Sequence, residues 1–185
     1  MFTEIQSEFN KNKFYVYDNF LSKNECEELS DKFFDNLENN PNAFLPNQVE
    51  NSKEIYTPFP DTGIKYENLM SNITGKSCRF SYCFGRLYKK GSFLTPHIDR
   101  DSCEYSVTIP LAFDVNTNWS ISFRDLESKK VSAVSQSIGN GAVYKGRELW
   151  HWRPPLQSEW SLHLFLHYVD SNGKYFMHAN EYTRA

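Results

Sequence analysis

Beyond residue 77 the chain is a succession of short strand-like segments, and this pattern constrains the fold more than any other feature. Aromatic and β-branched residues gather over 79–89, 94–99, 105–113, 119–124, 130–134, 142–144, 149–153 and 160–169. Gly91, Asn116 to Asn118, Gly139-Asn140-Gly141 and Pro154-Pro155 break them apart. Segments of this length and composition, bounded by turn formers, read as strands. About eight of them at regular spacing predict a sandwich or jelly-roll barrel. Pro110 stands mid-segment and has no N–H to give a ladder, so it predicts an edge or a bulge there.

The N-terminal third has a different texture. Lys13-Phe14-Tyr15-Val16-Tyr17-Asp18-Asn19-Phe20 reads as a strand. Ser22 followed by Glu25 is a capping-box spacing, and Cys26, Leu29, Phe33 and Leu37 then recur at helical intervals, which predicts a helix over 23–37. Residues 39–60, with Pro41, Pro46, Pro58 and Pro60, read as a long loop of the kind that serves as a lid or binding loop. A second helix is expected over 62–73, ended by Gly75. The expected architecture is mainly β with flanking helices, the N-terminal helices packing outside the barrel. One domain spans 1–185: a strand and helices over 13–75, a jelly-roll core over 77–170 and a tail over 171–185.

Composition removes several function classes. Hydrophobic residues make up 39% and charged residues 23%, a globular rather than a disordered balance. The 20 basic residues are scattered and outnumbered by 23 acids, so no nucleic-acid footprint is expected. The start Met1-Phe2-Thr3-Glu4-Ile5-Gln6 carries no signal-peptide pattern, and apolar windows such as 107–113 are far short of a membrane span. Cys26, Cys78, Cys83 and Cys103 form no Cys-x-x-Cys pair, so reduced thiols and a cytoplasmic location are expected and a cysteine-rich zinc site is not.

The chemistry centres on Tyr88-Lys89-Lys90-Gly91-Ser92-Phe93-Leu94-Thr95-Pro96-His97-Ile98-Asp99. On an extended strand His97 and Asp99, two apart, project to one face, so an imidazole nitrogen and a carboxylate oxygen can meet at one cation. An isolated His-x-Asp reads equally as a surface histidine beside an acid. His151, on a second expected strand, changes the balance. Two histidines and one carboxylate on one face of an octahedral ion leave three positions open, the arrangement of non-haem Fe(II) oxygenases.

These residues resemble the Fe(II)/2-oxoglutarate-dependent dioxygenases, in particular their prolyl 4-hydroxylase-like branch. The matching elements are Tyr88-x-x-Gly91, His97-x-Asp99, and Gly141-x-Val143-x-x-Gly146 leading to His151, with Asn19-Phe20-Leu21-Ser22 and Glu25-Cys26 similar to that branch's entry segment. Together they cover about residues 14 to 170. The resemblance implies a double-stranded β-helix, a cupin-like jelly roll. It implies that His97, Asp99 and His151 hold Fe(II), that 2-oxoglutarate chelates the metal, and that O2 oxidises an unactivated C–H bond, in peptidyl proline or another protein side chain, with succinate and CO2 released. A peptide or small-molecule substrate is the expected partner.

The same resemblance makes Tyr88 a hydrogen-bond donor to the keto acid, although a barrel-core tyrosine is an equal reading. One departure stands out. The family's Arg or Lys on the last strand, partner of the 5-carboxylate, has no counterpart, since Trp160, Ser161 and Leu162 occupy that stretch. A buried carboxylate needs a partner, and a guanidinium binds it bidentately. Arg153, two beyond His151, is the first candidate and Arg86, two before Tyr88, the second; His163 can add a hydrogen bond. His163 and His167 otherwise read as satisfied barrel histidines and His178 as exposed. Arg100, Arg124 and Arg147 read as solvated, and Asp101 as a poorer substitute for Asp99. Two other readings stay open. A zinc hydrolase on the same barrel would use the three ligands with Glu104 or Glu148 as base. A non-catalytic binding module would explain the missing cation.

Overall fold

The computed structural model describes residues 2–40, 49, 52–56, 59–115 and 118–184, the last two by their backbone alone. The chain opens with α1 (Phe2–Asn12), β1 (Phe14–Tyr17), α2 (Lys23–Asn39), β2 (Lys53–Tyr56), α3 (Pro60–Lys65) and α4 (Glu67–Thr74). Eight strands follow: β3 (Cys78–Lys89), β4 (Leu94–His97), β5 (Tyr105–Phe113), β6 (Ile121–Asp125), β7 (Val131–Val134), β8 (Gly141–Lys145), β9 (Leu149–Arg153) and β10 (Trp160–Asp170). They build two sheets, ordered β1-β8-β5-β10-β3-β2 and β4-β9-β6-β7. From β3 onward the chain crosses repeatedly between the sheets, and neighbours pair antiparallel. This is the expected jelly-roll winding.

Local chemistry accounts for the helices. The Ser22 hydroxyl accepts from the Glu25 amide while Glu25 Oε2 accepts from the Ser22 amide at 2.8 Å, a complete capping box. Cys26, Leu29 and Phe33 then form the buried stripe of α2. Phe33 lies directly over Gly85 of β3, where a Cβ would sit 2.7 Å from the ring. The helices thus cover the outer face of the larger sheet, and its inner face meets the smaller sheet. Covered on both sides, β3 and β10 are buried almost without interruption and lose the alternating pattern of a half-exposed strand.

Several expectations are refined. Pro110 marks a bulge and not an edge: β5 lies between β8 and β10, and its register steps from Leu162–Ala112 to His163–Pro110, skipping Leu111. The single helix expected over 62–73 is two, broken at Tyr66, and Gly75 closes the second in the left-handed region at φ 71°. The first strand stops at Tyr17, and Asn19 turns the chain at φ 51°. Helix α1 was not anticipated; of its residues only Phe9 is fully buried. Within the expected loop 39–60, β2 is an added edge strand, and 41–48, 50–51 and 57–58 lie outside the described residues. No helix among the described residues is long and apolar enough to cross a membrane.

Candidate metal centre and co-substrate pocket

Strands β4 and β9 lie side by side with His97 opposite His151, and the two rings are 4.2 Å apart. Asp99 joins them by a different route from the one the spacing predicts. Strand β4 ends at His97, so Asp99 is not held by strand alternation. Its amide donates to the Gly146 carbonyl at 2.9 Å, and its carbonyl accepts from Arg147 Nη1 at 2.7 Å. Gly146 makes this possible: a Cβ there would overlap Asp99 Oδ2 and the Cys103 carbonyl oxygen. The Gly-x-Val-x-x-Gly stretch therefore ends in a glycine required by close approach.

The donor atoms face one point. His97 Nδ1 lies 2.9 Å from the Thr95 carbonyl and His151 Nδ1 lies 3.2 Å from the Leu149 carbonyl, so each ring carries its hydrogen on Nδ1 and frees Nε2. Asp99 Oδ1 is 3.4 Å from His151 Nε2 and 3.7 Å from His97 Nε2. Adjacent corners around an ion with bonds of about 2.1 Å are roughly 3 Å apart, so a slight contraction fits a cation. The second Asp99 oxygen accepts from the Ser106 hydroxyl at 3.0 Å, which holds the carboxylate in a one-oxygen pose. Burial works to raise the Asp99 carboxyl, but the surrounding His151, His167 and His97 outweigh it and hold it below its ordinary value. Burial and then the neighbouring His151 lower the His97 imidazole. Ionised carboxylate and neutral imidazoles are the forms that ligate a metal.

A cavity of about 380 Å³ opens beside the three candidate ligands, walled by Phe84, Phe165, Ile121, Tyr144, Arg86 and Glu54 among others. The predicted co-substrate residues cluster along the barrel from it. The Tyr88 hydroxyl accepts from Arg86 Nη1 at 3.4 Å, and its ring meets the edges of Trp119 and His163 at 4.8 and 5.7 Å. Arg153 lies over the other side of that cluster, 4.8 Å from the Trp119 ring. Arg153, Tyr88 and His163 stand outside the cavity wall, whereas Arg86 is part of it.

The two arginines differ in one decisive respect. Arg86 is paired through Nε and Nη2 with Glu54 Oε2, and both residues are buried. Arg153 is 2% exposed, and no carboxylate among the described residues pairs with it. Among the described residues its donors reach only neutral acceptors, the Trp119 carbonyl at 2.9 Å, Gln136 Oε1 at 3.2 Å and Thr108 Oγ1 at 3.4 Å, and its Nε has no partner. Burial pushes the Arg153 guanidinium down to about 10. His163, fully buried and bonded through Nε2 to the Ser161 hydroxyl, is pushed well below its ordinary value by burial and by the charges of Arg153 and Arg86.

Other sequence candidates fall elsewhere. Asp101 pairs with Arg147 at 3.0 Å. Glu104 accepts the Asp170 amide, and Glu148 lies between Lys13 and Lys145; neither lines the cavity. Arg124 lies over Trp150, and His178 pairs with Glu181. Arg100 does line the cavity, stacked on Tyr82. Sequence reasoning passed over Glu54, Ser106, Trp119 and Gln136. Trp119 alone offered a signal, as a large aromatic beside a turn.

No family model matches this chain, and no curated protein matches it. Solved structures do. A Trichoplax adhaerens prolyl hydroxylase in complex with a hypoxia-inducible-factor peptide fragment superposes with a TM-score of 0.72 at 17% identity, over 92% of this chain and 89% of that one. HygX from Streptomyces hygroscopicus, with nickel and 2-oxoglutarate bound, superposes at 0.66 with 14% identity, over 91% and 87%. The epimerase SnoN in complex with Fe3+, α-ketoglutarate and nogalamycin RO superposes at 0.72 with 11% identity, over 92% and 84%. At such identities the likeness concerns the fold, and this chain has the jelly-roll fold of the 2-oxoglutarate–Fe(II) oxygenases, prolyl hydroxylases among them.

Proposed function

We propose that this chain is a non-haem Fe(II), 2-oxoglutarate-dependent dioxygenase that hydroxylates an unactivated C–H bond. His97 Nε2, Asp99 Oδ1 and His151 Nε2 would hold the metal. Fe(II) with 2-oxoglutarate and O2 supplies the oxidising power, and succinate and CO2 are the co-products. The residues of the chain bind, orient and enclose. Ser106 keeps Asp99 coordinating through one oxygen, and the Thr95 and Leu149 carbonyls fix both imidazole tautomers. Tyr88, Trp119 and Gln136 frame the far end, where Arg153 would take the 5-carboxylate and His163 would stay a neutral hydrogen-bonding partner.

The observation that carries the reading is the charge at the two ends. A divalent cation with one carboxylate and two neutral imidazoles keeps a net charge of about +1. Arg153, Arg86 and Glu54 also sum to about +1, in surroundings where an uncompensated charge is costly. A dicarboxylic keto acid neutralises both ends at once. Arg86 already has its anion, so an arriving carboxylate would also meet Glu54; Arg153 has none among the described residues. The zinc-hydrolase reading loses its bases, because Glu104 and Glu148 are engaged away from the cavity. The binding-module reading rested on the missing last-strand cation, for which Arg153 is a substitute from β9.

The target is an amino-acid side chain, prolyl or other, or a small molecule. Four unpaired, buried thiols suit a reducing compartment, and we place the protein in the cytoplasm. Anaerobic addition of Fe(II) and 2-oxoglutarate should give a weak visible charge-transfer band, and admission of air should give succinate. His97→Ala should lose both. Zinc-supported hydrolysis without succinate would refute the assignment.

A further inference from the structure

One contact in the cavity wall is used by neither the candidate metal ligands nor the keto-acid pocket. Tyr82 of β3 and Cys103, in the short turn 101–103 after Asp99, both line the cavity, and Tyr82 Oη lies 3.0 Å from Cys103 Sγ. This Sγ is also within 4.8 Å of an Asp99 carboxylate oxygen, beside the proposed metal. The phenol is held in place. Arg100 lies over its ring at 4.4 Å and donates from Nε to Oη at 3.3 Å, and His167 stacks on the ring at 4.6 Å. A sulfur hydrogen-bonded to a phenol oxygen stands beside a ring carbon ortho to that oxygen. Of the four cysteines, only Cys103 lines the cavity.

Burial keeps both groups protonated, holding the Cys103 thiol and the Tyr82 phenol far above their ordinary values. A buried neutral thiol is inert toward oxidants in solvent, and Cys103 is 2% exposed. An oxidant made inside the cavity is a different case. Its power suffices for an unactivated C–H bond, and S–H and phenolic O–H bonds are weaker. With no substrate in the cavity, a thiol against a phenol in its wall is a ready source of hydrogen. Resting on the function proposed above, we infer that Cys103 Sγ becomes joined by a thioether to the ring carbon ortho to the Tyr82 hydroxyl when the metal centre turns over without substrate. Each link consumes one 2-oxoglutarate and one O2. The S–H bond and one ring C–H bond break, and the S–C bond forms. The two hydrogens leave with one oxygen atom as water, while the keto acid gives succinate and CO2. The two side chains together lose two electrons, the keto acid loses two, and O2 takes all four. The link ties β3 to the turn next to Asp99 and removes the thiol of the wall from further oxidation.

The test incubates the Fe(II)-loaded protein with 2-oxoglutarate and air, without added substrate, until succinate exceeds the protein in amount. The protein is then unfolded, reduced with dithiothreitol, alkylated with iodoacetamide, and read by intact mass and tryptic mapping. The protein should have lost two hydrogen atoms, and only three of its four cysteines should take the alkyl group. Peptides 80–86 and 101–124 should run as one joined species that reductant does not separate. Cys103→Ala and Tyr82→Phe should each prevent the joining, as should His97→Ala or omission of 2-oxoglutarate. Four alkylated cysteines after succinate has formed would overturn the inference. So would a gain of oxygen in place of the hydrogen loss, a joined species that persists in Tyr82→Phe, or one that forms without 2-oxoglutarate. The charge-transfer band and succinate, recorded on the wild type, keep the two claims apart. Their absence defeats the proposed function and this inference with it, whereas their presence with unlinked peptides defeats the thioether alone.

Discussion

Arg153 and Arg86 make opposite predictions although both are buried arginines near Tyr88. Replacing Arg153 by Met removes a cation that has no anion among the described residues, so the ligand-free protein should melt no lower than the wild type. Its affinity for 2-oxoglutarate in the presence of Mn(II), read by calorimetry, should fall about a hundredfold. Replacing Arg86 by Met strands the Glu54 carboxylate and should cost about 3–5 kcal/mol by denaturant unfolding. Adding Glu54→Gln should recover much of that loss. If Arg86→Met proves to be the variant that abolishes keto-acid binding while keeping its stability, the two roles are exchanged. At Gly146, a methyl group would press on Asp99 Oδ2, and Gly146→Ala should weaken Mn(II) binding by roughly tenfold or more in an equilibrium titration.

His163 adds a pH dependence. Its folded value lies well below the ordinary one, so the unfolded chain takes up a proton first as the pH falls. Its contribution to stability is complete above about pH 6.5 and is lost progressively below it, by up to about 1.4 kcal/mol per pH unit. His163→Asn, neutral at every pH, should flatten the slope of stability against pH between about 6.5 and 5 by that share. An identical slope in wild type and variant would show that His163 takes up its proton as readily in the folded chain as in the unfolded one. At this scale the sequence exposed the three residues proposed as metal ligands, because His-x-Asp and a distant histidine are types with few other uses in combination. It concealed Glu54 and Ser106, whose importance comes from the strand that pairs next to them.

Among the elements, α2 was the most legible, since its cap and its stripe are local. Ser22→Ala removes the side-chain acceptor of the Glu25 amide and one donor to Glu25, and should lower stability by about 1 kcal/mol in thermal or urea unfolding. No change would mean that the cap is redundant with the Glu25–Lys65 and Glu25–Tyr66 contacts. Strand β2 was illegible because Lys53-Glu54-Ile55-Tyr56 buries a charge: Glu54 is 1% exposed, and only pairing with Arg86 makes that tolerable. Strand β4 shows how a correct conclusion can have a wrong cause. His97 and Asp99 do meet, but through Gly146 and Arg147 and not through continued strand alternation.

At the scale of the whole molecule, the order of strands and breaks was enough to indicate a sandwich or a jelly roll, between which the family resemblance chose, because each β segment is local and the turns carry glycine, proline and asparagine. Which residues cross the barrel was not readable. Arg153 reaches Thr108 from the opposite sheet, and Trp119 joins Tyr88 to Arg153, contacts between residues 31 to 45 positions apart in sequence. We propose that the two sheets set three metal ligands beside the cavity and, beyond its wall, a guanidinium with no carboxylate partner among the described residues, which takes the far end of a keto diacid. A crystal grown with Mn(II) and 2-oxoglutarate tests it most directly. It should place the ion on His97 Nε2, Asp99 Oδ1 and His151 Nε2, with the keto acid chelating it and its 5-carboxylate on Arg153. An ion held elsewhere, or His151 remote from it, would contradict the account.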